Sequence, residues 1–294
     1  MKVKIFLGLL LVLGLGALVG YNLAKLSIQE IPDNAVLESA ASTEVTEVAE
    51  TTLDRYSDPV QPGKTKAYVS IVLDDWGYNL KAYDKLINLQ TPITVAILPH
   101  LAYSKKIAIG AYNQGHEIIL HMPMEPIGNV SLEKNTLLTS MTGADITQIF
   151  YQALSAVPYI RGFSNHMGSK FTDDTQGLKT VFALGQGRGL FFLNSLVTSN
   201  AVALSLAEES GIPYLERDVF IDNERNEEAI ELQLDQLKKR ALVQGMAIGI
   251  GHDEVITLEA IEAILPQWKN EGIEVISLSQ MLEYKRMQKI PLKV

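Results

Sequence analysis

The chain has no cysteine among its 294 residues. That excludes a disulfide framework, thiolate zinc centres and cysteine nucleophiles, and it leaves the redox compartment open. Positive charge is scarce: 25 Lys and Arg stand against 34 Asp and Glu, for a net charge of −9. No basic cluster interleaved with aromatics appears, so nucleic acid and other polyanions are not expected partners. Histidine occurs only five times and tryptophan twice, which makes the placement of each informative. What remains is ordinary globular composition, 47% apolar and 20% charged, enough for one large domain or two medium ones.

Residues Ile5 to Ala24 are apolar apart from glycines, Tyr21 and Asn22, and follow Lys2 and Lys4. A basic flank before roughly 20 apolar residues is long enough to span a bilayer. Small-x-small cleavage sites fit this run badly. An uncleaved signal anchor over residues 1–26 is therefore preferred to a cleaved signal peptide. Lys2 and Lys4 would stay in the cytoplasm. The rest is then expected to be exported, periplasmic or otherwise extracytoplasmic, and held at the inner membrane by residues 5–24. Residues 27–66 turn acidic and aperiodic, and from Ser27 to Gly63 Glu30, Asp33, Glu38, Glu44, Glu47, Glu50, Asp54 and Asp58 stand against Arg55 alone. They read as a disordered spacer that supplies reach.

Residues 67–294 alternate short β-branched runs with amphipathic stretches. Strands are expected at 68–74, 93–98, 117–121, 162–165, 190–194, 214–219, 247–251 and 274–277. Helices are expected near 79–89, 102–114, 143–157, 174–186, 199–210, 225–243, 257–271 and 279–288. Thr91-Pro92, Gly115, Gly211-Ile212-Pro213 and Gly272 punctuate the boundaries. About eight βα units predict a (β/α) barrel, complete or distorted, with an open doubly wound sheet as the alternative.

The histidines sharpen that expectation. His100, His121, His166 and His252 fall at or just past the C-terminal ends of expected strands, the face on which such barrels build their sites. His116 precedes a strand and reads as structural, and His100 as a loop residue. Asp74 and Asp75 close the first strand, Glu125 follows the third, Asn194 ends the fifth, and Asp218 and Asp222 flank the end of the sixth. Histidines and carboxylates without cysteine suit zinc or another borderline divalent ion, which generates hydroxide and polarises a carbonyl. Consecutive strand residues face opposite ways. A twist at the strand end could nevertheless present both aspartates, one to ligate and one to take a proton. A turn or helix cap before Tyr78 is the competing reading of the pair. Trp76, Tyr78 and Tyr103 offer rings for stacking on sugars, with packing the equal alternative.

Three segments in order carry a resemblance. They are Asp74-Asp75-Trp76-Gly77, Gly115-His116-Glu117-Ile118-Ile119-Leu120-His121, and Ile250-Gly251-His252-Asp253. Together they resemble polysaccharide deacetylases. With His121-Met122-Pro123-Met124-Glu125-Pro126 and Asn165-His166-Met167-Gly168-Ser169, residues 67–285 are closer to the divergent polysaccharide deacetylase family. The resemblance implies a distorted barrel of seven or eight βα units. It also implies metal-dependent removal of N-acetyl groups from an N-acetylhexosamine polysaccharide. Asp74 would be the general base and His252 the general acid. Asp75 and His121 would bind metal, zinc being the first choice, with His166 or Glu125 completing the set. Trp76, Asn165, Asn194 and Asp218 are assigned to substrate.

The chain departs from the main family at two points. Glu125 stands where a second histidine is usual, and the arginine that would orient the base is absent. Two further readings therefore stay open: a glycan-binding or regulatory barrel without turnover, and an O-deacetylase.

Overall fold

The computed structural model describes residues 66–197 and 202–288. The apolar run at 5–24 and the acidic stretch up to residue 65 lie outside the described residues. Among the described residues no helix is long and apolar enough to cross a membrane.

Among the described residues nine parallel strands carry the fold: β1 (Ala67–Trp76), β2 (Thr94–Ile97), β3 (Glu117–Met124), β4 (Ile160–Met167), β5 (Phe191–Asn194), β6 (Tyr214–Glu216), β7 (Val219–Phe220), β8 (Met246–His252) and β9 (Ile273–Val275). They pair in the order β6-β5-β4-β3-β2-β1-β8-β7, with β9 added beside β1. The helices between them are α1 (Tyr83–Asn88), α2 (Ser104–Asn113), α3 (Gly143–Ala156), α4 (Thr175–Gln186), α5 (Val202–Ser210), α6 (Glu227–Gln244), α7 (Val255–Glu271) and α8 (Leu278–Gln288). The expected distorted (β/α) barrel is therefore the fold.

Two differences from the expected elements have local causes. The stretch expected as one strand over 214–219 breaks at Arg217-Asp218, because the chain crosses the barrel there. The Arg217 amide still bonds Asn194 O beside β5, whereas the Asp218 amide already bonds Ile248 O in β8. Consecutive β6 and β7 thus form the two ends of the strand order, and the seam of the barrel lies between them. Helix α1 starts four residues later than expected. Gly77 takes φ 139°, and the Asn79 side chain accepts from the Lys81 amide, so residues 77–82 are spent on turns.

Period-two alternation sorts each strand between two cores. On β1, Val69, Ile71 and Leu73 join the outer layer against the helices, whereas Tyr68 and Val72 join the barrel interior. Ile119, Ile248 and Ile250 face the same interior. Helix α8 closes its N-terminal end with Leu278 and Met281, and Tyr284 packs on Tyr68 at 4.7 Å between ring centroids. That closure turns on Glu117. Its buried carboxylate accepts from Thr94 Oγ1 (3.0 Å) and from the amides of Leu278 (2.9 Å) and Ser279 (3.1 Å), capping α8. With the floor apolar and plugged, the opposite, C-terminal end is left for chemistry.

Candidate active site

Strand alternation alone delivers three polar side chains to that end. The inward set on β1 runs Tyr68, Ser70, Val72, Asp74. On β3 it runs Glu117, Ile119, His121, and on β8 Met246, Ile248, Ile250, His252. Each ends on a titratable residue at the strand's C-terminal end. Register then sets their neighbours, Asp74 beside His252 and His121 beside Ser164.

Asp75 breaks the alternation. The pairing of β1 with β2 slips between Leu73 and Trp76, and Asp75 sits at φ 60°. This bulge turns the Asp75 carboxylate towards the same cluster as Asp74 and returns Trp76 to the outer layer. His166 arrives from β4, which ends in Met167 at φ 53° and Gly168 at φ 90°. A Cβ on Gly168 would stand 2.9 Å from Met124 Cβ, so the turn that releases β4 at this depth needs glycine.

The resulting geometry is tight. Asp75 Oδ1 lies 2.8 Å from His166 Nδ1 and 3.2 Å from His121 Nε2. Asp74 Oδ2 lies 3.6 Å from His121 Nε2, and Asp75 Oδ2 lies 3.9 Å from His252 Nε2. Two of the imidazoles are oriented from behind. His121 Nδ1 is 2.7 Å from Ser164 Oγ. His252 Nδ1 is 2.9 Å from Asp222 Oδ1, and Asp222 Oδ2 accepts from the His252 amide (2.8 Å) and Thr257 Oγ1 (2.7 Å). Such partners fix which ring nitrogen faces the site.

Burial and neighbouring charge give these groups unlike proton affinities. Burial, reinforced by the Asp75 charge, pushes Asp74 well above the usual carboxylate range. Burial acts the same way on Asp75, but hydrogen bonds from His121 and His166 override it and hold Asp75 well below that range. Burial pulls His121 down to about 4, so its ring is neutral with a lone pair to offer. Burial also opposes charge on His252, yet Asp222 and Asp74 outweigh it and lift the ring to about 9.

This donor set fits a divalent cation. Asp75, His121 and His166 bring one oxygen and two imidazole nitrogens within 4.8 Å of one another, the mixture that borderline metals prefer. Asp74 Oδ1 and His166 Nε2 are buried with no hydrogen-bond partner among the described residues, as a pocket shaped for a further ligand would leave them.

The structure separates the other expected site residues from this cluster. Glu125 is not drawn in: its Oε1 takes Lys170 Nζ (2.6 Å), and its Oε2 takes the amide and hydroxyl of Thr139 (2.7 Å each). It ties the loop after β3 to the segment after β4. Trp76 is fully buried in the outer layer and presents no face to a sugar. Asn165 is buried and donates to Ser195 Oγ and Met167 O while accepting from the Ser195 amide. Asn194 donates to the Tyr214 hydroxyl and accepts from the Leu196 amide. Asp218 Oδ2 accepts from the Ile248 amide of β8, the strand that β7 pairs with. Trp76, Asn165, Asn194 and Asp218, expected at the substrate, are thus engaged in contacts within the barrel. Of the aromatic candidates, Tyr78 stays 48% exposed at the rim, its hydroxyl bonded to Glu133. His116 is structural as expected, its Nδ1 accepting from the Ile93 amide and its Nε2 bonded to Leu86 O.

Four contributors escaped the sequence reading of the site. Asp222 was visible as a strand-end carboxylate without a role. Ser164 was findable only through its register with His121. Asp253 follows His252 directly, and burial together with the Asp75 charge lifts it to about 7. Arg217 lies at the seam, its Nε donating to Ser195 O (2.7 Å) and its guanidinium over the Phe220 ring, close enough for its charge to interact with Asp74.

Residues 71–282 match the family model described as divergent polysaccharide deacetylase. The protein YibQ of Escherichia coli (strain K12) is 34% identical over 209 residues, 71% of this chain and 64% of its own length. The chain thus matches a little under two thirds of that relative. A protein of Haemophilus influenzae is 32% identical over 213 residues, 72% of this chain and 76% of its own. Among solved structures, protein ATU2773 from Agrobacterium tumefaciens C58 superimposes with a TM-score of 0.73 at 24% identity, covering 78% of this chain and 94% of that one. That likeness concerns the fold.

Proposed function

Since the chain belongs to the divergent polysaccharide deacetylase family, we propose that it is a metal-dependent hydrolase removing N-acetyl groups from an N-acetylhexosamine polymer of the cell envelope. The observation that carries this reading is the convergence of a ligand triad, a base and an acid in one strand-end pocket. Asp75, His121 and His166 supply the triad, with Asp74 beside it and His252 backed by Asp222.

A divalent cation bound by Asp75, His121 and His166, with zinc the first choice for two nitrogens and one oxygen, would polarise the acetyl carbonyl and acidify an adjacent water. Asp74 takes the proton as water oxygen bonds the acetyl carbon; its raised proton affinity makes it the stronger base. His252, protonated through Asp222, gives a proton to the sugar nitrogen as the C–N bond breaks, leaving acetate and a free amine. Tyr78 and Tyr103, both exposed, offer rings for contact with the sugar. The run at 5–24 and its lysines support export and attachment to the inner membrane, with the barrel on the outer side.

The test combines metal content with acetate release from N-acetyl and O-acetyl oligosaccharides, using the full chain. His121→Ala and His166→Ala should lose the metal. Asp74→Asn should keep it and lose about 10²–10⁴-fold in rate. Absence of bound zinc after reconstitution would refute the hydrolase. A metal-loaded chain that binds the oligosaccharide without releasing acetate would favour the glycan-binding barrel.

A further inference from the structure

The same pocket contains a second set of donors that a single cation leaves unused. Asp74, Asp75 and His252 also bring one ligand atom each within 4.8 Å of one another, and Asp75 is common to both sets. Its two oxygens divide between them. Oδ1 faces His166 and His121 at 2.8 and 3.2 Å, whereas Oδ2 faces His252 Nε2 at 3.9 Å. A carboxylate that turns one oxygen to each set has the disposition of a bridge between two ions about 3.5–4 Å apart.

Three further features suit the second set to a cation. Asp74 is 6% exposed, and its Oδ1 has no partner among the described residues. His252 spends Nδ1 on Asp222, which leaves Nε2 bare and aimed at the Asp75 carboxylate. A histidine held from behind by a carboxylate is the usual arrangement of a metal ligand. Finally, Asp253 follows His252 directly and lies close enough to interact electrostatically with Asp74 and Asp75.

We propose that Asp74, Asp75 and His252 form a second, weaker divalent-cation site bridged to the first by Asp75, and that filling it switches the enzyme off. The inference rests on the metal reading of Asp75, His121 and His166. The second ion takes up the lone pairs of the group that accepts the water proton and the group that protonates the leaving nitrogen. Substrate turnover therefore requires the first site filled and the second empty. The second site binds more weakly because it offers one imidazole rather than two and shares Asp75 with an ion already there.

The experiment is a Zn²⁺ titration of the metal-stripped full chain, read as bound metal by equilibrium dialysis and calorimetry, with acetate release measured on the same samples. Two equivalents should bind, the second roughly tenfold or more weakly, and acetate release should peak near the first and fall as the second fills. His252→Gln and Asp74→Asn should each lose the weaker equivalent and keep the tighter one. Retention of the tighter equivalent also reports that the pocket is folded. With Co²⁺ the doubly loaded wild type should show spin coupling through the shared carboxylate. Saturation at one equivalent up to millimolar zinc would overturn the second site and leave the proposed function intact. A second equivalent that survives in both variants would overturn its placement. No bound zinc at all would overturn the first site as well, and the hydrolase with it.

Discussion

Replacing Asp222 by Asn removes one charge and changes almost no volume. Asp222 is 1% exposed and accepts three hydrogen bonds, from His252 Nδ1, the His252 amide and Thr257 Oγ1. An amide in its place points an N–H at one of those donors whichever way it is turned. If the nitrogen faces the ring, Nδ1 must accept and the proton moves to Nε2, the tautomer opposite to the one the carboxylate selects. Without the carboxylate, His252 should fall from about 9 towards the ordinary 6.5 of imidazole. At pH 8 the protonated fraction then drops from about 0.9 to about 0.03, roughly a thirtyfold loss of rate where His252 is the acid. At pH 6 the two proteins should differ by less than about twofold from this cause. The assay is acetate release against pH with one equivalent of zinc, where the alkaline limb of the wild type should lie near pH 9 and that of the variant near pH 6.5. A loss of equal size at every pH would refute the reasoning, because it would mean that Asp222 acts on structure alone. The same raised proton affinity affects stability. His252 holds its proton in the folded chain above the 6.5 of the unfolded one, so this stabilisation is whole below about pH 6.5 and disappears as pH rises through about 9.

Three more outcomes follow from named contacts. Glu125→Gln should leave zinc content unchanged, because Glu125 is engaged by Lys170 and Thr139 rather than by the cluster; metal analysis showing loss would return Glu125 to the ligand set. Gly162→Ala should destabilise by about 1–3 kcal/mol, since a Cβ there would stand 2.5 Å from Phe191 ring carbons, and thermal melts would measure it. Glu117→Ala should cost about 2–3 kcal/mol by orphaning the Leu278 and Ser279 amides at the start of α8. Acetate release per folded molecule should not change, because Glu117 lies at the far end of the barrel from the site, and a specific loss of turnover would contradict that separation.

Much of the architecture was legible because it is written in short-range pattern. The apolar runs ending in Asp74, His121, Asn194 and His252 declare both a strand and its C-terminal end. Asp74, His121 and His252 then reach the pocket by alternation alone. His116 was legible as structural because it precedes its strand. The errors share another cause. Trp76 follows two site aspartates and still faces the helices, because the bulge at Asp75 resets the alternation. Asn165 and Asn194 occupy strand ends, where function is expected, but non-local partners claim them: Ser195 for one, Tyr214 for the other. The strand expected over 214–219 is one stretch in the sequence and broken in space, because its two halves pair with strands on opposite sides of the seam.

The amino-acid sequence by itself determined the βα rhythm, the strand-end clustering of histidines and carboxylates, and membership of a family recognisable from ordered motifs. All of these rest on residue identity and on periods of two and 3.6, which are local. Only the tertiary structure decided that His166, not Glu125, joins Asp75 and His121. Both residues follow a strand end, and the choice turns on Lys170 and Thr139 reaching Glu125 first. It also decided that Asp75 shares the pocket with Asp74, through one extra residue in β1. A one-residue slip reverses every side chain beyond it, and competition for a carboxylate depends on groups far away in the chain. Neither can be read from spacing.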